Sequence, residues 1–154
     1  MERALGLELR TLSNLTRRYF EQYSHKKCIE AITGTNSWII AYIGQQTDEN
    51  RDVYQRDLET RFGITRSTAS KVINLMVQKG LIERQSVAHD ARLKKLMLTE
   101  RALEIKRLMD EDHARFEEAL RKGFDEDELQ MLFTCLDHMK ENLKGLSKEE
   151  HPND

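Results

Sequence analysis

Proline occurs once in this chain of 154 residues, and glycine seven times. With so few helix breakers, long helices are expected. Cysteine occurs twice, at Cys28 and Cys135, and forms no CxxC pair. That excludes a disulfide scaffold and points to a reducing compartment, so the expected location is the cytoplasm. Aromatic residues make up 6% of the chain. No apolar run approaches the ~18 residues of a membrane span. The opening MERALGLELR carries charges and has no apolar stretch of the secretory kind. Catalytic fingerprints are missing too: no P-loop, no dinucleotide-binding glycine motif, no HExxH and no GxSxG. The serines gather on a polar helix face without a histidine at a recognisable spacing. Neither an enzyme nor a cofactor is expected.

What is present is charge, unevenly placed. Hydrophobic residues are 38% and charged residues 34%. That is polar for a globular monomer, and it suits one domain with an appended oligomerisation arm. Residues 1–55 are neutral, residues 56–101 carry a net +5, and residues 102–154 a net −7. A basic middle is the part suited to meet a polyanion.

Apolar spacing divides the chain further. Leu5, Leu9, Leu12, Tyr19 and Tyr23 predict a helix over 2–23. His25 to Cys28 reads as a basic connector. Trp38, Ile39, Tyr42 and Ile43 predict a second helix over 34–46, and 47–52 (TDENRD) a loop. Two short helices follow, 53–62 closed by Gly63, and one N-capped by Thr65 that runs to Lys79 and is closed by Gly80. Residues 81–99 change period and predict a hairpin, LIERQSV and LKKLMLT around AHDAR. A helix over 100–122 has Ile105, Met109, Phe116 and Leu120 on one stripe. After Gly123, Asp125 caps a last helix whose first turn is Glu126, Asp127 and Glu128. Its Leu129, Leu132, Leu136, Met139, Leu143 and Leu146 form an a/d seam. The tail from Lys148 is expected to fray.

The chemistry lies between Asp57 and Thr99. In the Thr65-capped helix, Ala69, Val72, Ile73 and Met76 share a packing face. Arg66, Ser67, Ser70, Lys71 and Asn74 share the opposite one, with Thr68 in the same turn. That outer face has hydroxyls, two cations and no acid, which is what a helix in a DNA major groove needs. A helical hairpin with a solvated face has the same pattern, but the basic hairpin that follows adds to the case. Its tip holds His89, Asp90 and Arg92, with Lys94 and Lys95 just after. An arginine on a thin ribbon suits the narrow minor groove, and Asp90 is expected to orient the Arg92 guanidinium.

These segments resemble the MarR (multiple antibiotic resistance regulator) transcription factors. DLETRFGITRSTASKVINLMVQKGLIER is similar to that family's helix-turn-helix, and DARLKKLMLTE to its wing, with Asp-x-Arg at Asp90 and Arg92 and a Leu-Thr ending at Leu98 and Thr99. The recognition helix ends NLMVQK, with fewer charges than is usual in the family. A glycine common after the Leu-Thr is absent here. The resemblance implies a mainly α fold with a small β-hairpin, a winged helix-turn-helix plus dimerisation helices. Residues 1–46 would serve dimerisation and a ligand pocket, 53–99 DNA binding, and 100–147 dimerisation. It implies a homodimeric regulator, a repressor released by a small-molecule effector, on a pseudo-palindromic double-stranded operator with half-sites ~10 bp apart. Arg66, Ser67, Thr68, Ser70, Lys71, Asn74, Asp90, Arg92 and Lys94 would meet the DNA. Trp38, Tyr42 and Tyr19 would meet the effector. A winged-helix protein-interaction module or adaptor without DNA binding is the alternative.

A metal is not expected. His25 with Cys28, and Cys135 with His138, have the ligand types of a zinc site. Nothing in the sequence brings the two pairs together, and a buried cysteine is usually a small hydrophobe. The cations beside Cys28 favour a thiolate, though an inert surface thiol is the simpler reading.

Overall fold

The computed structural model describes residues 3–149. The element order among them is α1 (Leu5–Tyr23), α2 (Lys26–Thr33), α3 (Ser37–Asp48), α4 (Gln55–Phe62), α5 (Arg66–Gln78), β1 (Ile82–Val87), β2 (Asp90–Leu98), α6 (Glu100–Arg121) and α7 (Glu126–Glu149). β1 and β2 pair antiparallel in a two-stranded sheet. The class read from the sequence, mainly α with one small hairpin, is the class that forms. The chain divides into two compact units, residues 1–114 and 115–154.

Three expectations are corrected. The connector around His25–Cys28 is the start of α2. This helix has eight residues and no side-chain cap, and only Ile29 and Thr33 are buried. Its eight residues, with Lys26, Lys27 and Glu30 exposed, are too few to sustain an apolar repeat in the sequence. Second, Val53 does not begin a helix. It is extended and bridges Leu96, whose backbone N–H donates to the Val53 carbonyl at 2.8 Å. Its buried side chain is better used there than in a first helical turn. Third, the hairpin turn is only Ala88 and His89, so Asp90 and Arg92 lie on β2. The expected helix start at Glu2 lies outside the described residues. α7 is described through Glu149, and the rest of the tail expected to fray from Lys148 lies outside the described residues.

The core of the first unit is centred on α3, where Ile39, Ile40 and Ile43 are fully buried. Around them close Leu58 of α4, Ile73 and Met76 of α5, Leu81, Ile82, Leu96, and Ala102 and Ile105 of α6. Truncating one of these isoleucines to alanine would cost about 2–5 kcal/mol. Gly44, also buried, lies beneath the Lys106 stem; a Cβ there would meet Lys106 Cδ at 2.3 Å. The Lys106 ammonium reaches Asp110 at 2.6 Å and Asp48 at 2.9 Å. Hydrogen bonds to these carboxylates, Asp110 first, hold its pKa above the ordinary lysine value. α1 buries none of its residues: Leu5, Leu7, Leu9, Leu12 and Leu15 are all exposed.

In the second unit, Asp125 and Glu128 form a reciprocal capping box. The Glu128 N–H donates to Asp125 Oδ1 and the Asp125 N–H to Glu128 Oε2, each at 2.9 Å. Along the seam of α7, Leu136 and Met139 are half-buried, and Leu132, Leu143 and Leu146 are exposed. Phe133 and Met131 are exposed beside them.

Candidate nucleic-acid interface

The helix-turn-helix is built by local rules. Gly63 ends α4 in the left-handed region, at φ 59°, a conformation that costs other residues strain. Thr65 then caps α5: its hydroxyl accepts from the Thr68 N–H at 3.1 Å. The same hydroxyl donates to Thr68 Oγ1 at 3.0 Å, so the Thr68 side chain is tied to the cap. At the other end of α4, the Tyr54 N–H donates to Asp57 Oδ2 at 2.8 Å. Ala69, Ile73 and Met76 are buried, which turns Arg66, Ser67, Thr68, Lys71 and Asn74 outward and leaves Ser70 half-buried.

The wing is anchored at its root and irregular at its tip. Its register is regular from Ile82↔Leu98 to Ser86↔Lys94, then shifts so that Val87 faces Asp90. Ala91, Arg92 and Leu93 are therefore the extra residues of a bulge, which swings the strand and re-aims its side chains. Asp90 does not bond the Arg92 guanidinium as expected. Its Oδ1 accepts from the Arg92 backbone N–H at 2.9 Å. A carboxylate two residues before an amide closes this local ring more readily than it reaches the end of a long side chain. Lys94 Nζ donates to Ser86 Oγ at 2.6 Å across the ladder. Lys95 pairs with Asp52 at 3.2 Å, beside the Val53–Leu96 bridge. At the far end, the Thr99 hydroxyl donates to the Gly80 carbonyl at 2.7 Å and accepts from the Ala102 N–H at 3.2 Å. The Leu-Thr ending thus joins the end of α5, the end of the wing and the start of α6.

Arg66, Arg92 and Lys94 line one concavity of about 400 Å³ between α4, α5 and the wing. Arg56 and Arg84 line it too, with Glu59 the one acid in its wall. A cradle of four guanidiniums and an ammonium is complementary to phosphate. The sequence reading missed Arg56, Arg84 and Gln55. Gln55 Nε2 donates to the Arg66 carbonyl at 3.3 Å, and Arg84 Nη2 donates to Asn74 Oδ1. The net +5 of residues 56–101 was the available signal; which cations converge depends on how the wing folds back on α5.

The other candidate residues are placed as follows. Trp38 and Tyr42 are half-buried and meet Phe62, with ring centroids 4.2 and 5.4 Å away. Tyr19 meets Phe20 and Tyr23. Phe20 itself lines a cavity of about 310 Å³ with Ser24, Ile29, Ser37, Met109 and Asp112. His25 Nδ1 faces Asp112 Oδ1 at 2.8 Å. Cys28 and Cys135 are free and exposed. Among the described residues, no three His, Cys, Asp or Glu side chains gather as a metal site. No helix among them is long and apolar enough to cross a membrane.

Two helices joined by a glycine turn, followed by a bulged hairpin, define a winged helix-turn-helix. A model of the MarR family matches residues 32–93. The transcription regulator MarR from Oenococcus oeni PSU-1 is 32% identical over 90% of this chain and 99% of its own, with a TM-score of 0.54. The chain belongs to the MarR family of transcription regulators. The fold is also shared with S. aureus MepR in a DNA complex, at 21% identity over 87% of this chain and 96% of that one, TM-score 0.63. The heme sensor protein PefR from Streptococcus agalactiae, bound to heme, has 21% identity over 92% and 95%, TM-score 0.61.

Proposed function

We propose that this chain is a cytoplasmic, sequence-specific DNA-binding regulator that acts as a homodimer and represses until a small molecule releases it. The observation that carries the reading is the outer face of α5 opening onto the cationic concavity at the wing. In this reading, Arg66, Ser67, Ser70, Lys71 and Asn74 face a major groove, and Thr68 supports the turn that presents them. Arg92 and Lys94 meet the adjoining backbone and minor groove, and Asp90 shapes the bulge that aims them. The DNA complex of S. aureus MepR, which shares the fold, supports this assignment.

Residues 53–99 are the DNA-binding part. Residues 1–46 and 100–147 supply dimerisation, because α1 and α7 leave apolar stripes in water that a second copy would cover. Two-fold symmetry then calls for a pseudo-palindromic operator with half-sites ~10 bp apart. Tyr19, Trp38 and Tyr42 are the proposed effector contacts; none of them lines the cavity at Phe20, the ring neighbour of Tyr19, which has room for a ligand of modest size.

Selection of duplexes from a random library tests the reading. Enrichment of an inverted repeat, bound with an affinity that falls steeply with salt, is the expected result. A protein that retains no duplex at low salt contradicts the reading and leaves the alternative, an adaptor for other proteins.

A further inference from the structure

Asn74 projects from the outer face of α5, and its Oδ1 accepts a hydrogen bond from Arg84 Nη2 on β1. Both side chains are exposed. A guanidinium has five N–H donors and no acceptor, so the amide atom that faces it has to be the oxygen. The Asn74 NH2 group is thereby turned away from Arg84. Arg84 lies opposite Leu96, which is buried and bridged to Val53, so its backbone is fixed, and it lines the same concavity as Arg66 and Arg92.

That arrangement changes what Asn74 can read. A lone asparagine on a recognition helix pairs with adenine, accepting from N6–H2 and donating to N7. Here Arg84 takes one of the two lone pairs of Oδ1, and a base amino group approaching the other comes beside the cationic guanidinium and its remaining N–H donors. A base acceptor meets only donors, from the amide NH2 and from the guanidinium. Guanine presents two acceptors side by side in the major groove, N7 and O6, whereas adenine sets an amino group beside its N7. We propose that Arg84, by turning the Asn74 NH2 outward and setting its own donors beside it, biases the pair toward base acceptors, so that it selects guanine over adenine at one base pair of the half-site. The inference rests on the reading of α5 as the major-groove helix.

The test compares duplexes selected by the unmutated protein with those selected by Asn74→Ala, Arg84→Met and Arg84→Lys. Asn74→Ala identifies the base pair whose preference depends on Asn74, and that pair is expected to be G·C in the unmutated protein. Arg84→Met keeps the apolar stem and removes the donors. It is expected to shift that base pair toward A·T, by about fivefold or more in relative affinity. Arg84→Lys keeps a donor-only cation and is expected to retain G·C. In the double variant Asn74→Ala, Arg84→Met the position is expected to show no preference. The proposal is overturned if the Asn74-dependent pair is A·T in the unmutated protein. It is also overturned if Arg84→Met weakens every duplex equally and leaves the preference unchanged, since Arg84 would then be only a phosphate anchor. A protein that selects a sequence but is indifferent to Asn74 sinks this inference alone. One that selects no sequence sinks the reading of α5 with it.

Discussion

Asp112 holds His25 by two bonds. Its Oδ2 accepts from the His25 backbone N–H and its Oδ1 faces His25 Nδ1, both at 2.8 Å. The carboxylate is 5% exposed and 87 positions away in sequence, so this pair fixes the start of α2 to α6. A buried acceptor of this kind is worth more than its hydrogen bonds alone, because its removal strands a donor.

Asp112→Ala is therefore expected to lower the unfolding free energy by about 1–3 kcal/mol. Asp112→Asn should recover part of that loss, because an amide oxygen can still accept from the His25 N–H. Urea unfolding curves check both. Equal losses for the two variants would show that the charge, and not the backbone bond, is what matters.

The bond from the Arg92 N–H to Asp90 separates two accounts of the wing. If the carboxylate shapes the backbone, Asp90→Asn preserves the acceptor and should bind duplex DNA at least as tightly as the unmutated protein. Asp90→Ala should bind more weakly. Anisotropy titrations decide between the two. A loss in Asp90→Asn as large as that in Asp90→Ala would restore the guanidinium pairing read from the sequence.

Leu132 and Leu143 are exposed in the single chain, so charge at either site should leave the protomer folded. Leu132→Asp and Leu143→Asp are expected to shift a dimer toward monomer in sedimentation velocity while helical circular dichroism is kept. Sedimentation of the unmutated protein as a folded monomer at micromolar concentration would contradict the dimer.

The acidic start of α7 divides into a structural and a solvent-facing part. Glu128→Ala removes half of the capping box and is expected to cost about 1 kcal/mol of stability. Glu126→Gln with Asp127→Asn should change neither stability nor DNA affinity appreciably. A marked gain in affinity for the latter pair would place this helix end near the duplex.

Features governed by neighbours in sequence were legible before any coordinates. Gly63 and Thr65 set the turn, Asp125 caps α7, and Leu129–Leu146 keep heptad spacing; each depends on residues a few positions apart. What escaped depends on distant partners. α2 has too short a periodic stretch, and what fixes its start is Asp112 on α6. Val53 reads as helical until Leu96 offers it a bridge. Arg84 is one cation among ten in residues 56–101 until the wing lays it against Asn74. The Asp90 and Arg92 signature was visible, but the atom that Asp90 holds was not, because a bulge decides it.

The most direct measurement is fluorescence anisotropy of Arg66→Ala and Arg92→Ala on a selected duplex and on a scrambled one, at several salt concentrations. Arg66 lies on the α5 face, which in the proposed reading enters the major groove, where every base pair is distinguishable. Its loss is expected to cost about 1–3 kcal/mol on the selected duplex and much less on the scrambled one. Arg92 lies on the wing, which in the same reading meets DNA shape and charge. Its loss is expected to weaken both duplexes alike and to make the salt dependence shallower. If both variants bind both duplexes like the unmutated protein, neither α5 nor the wing meets DNA, and the account is wrong.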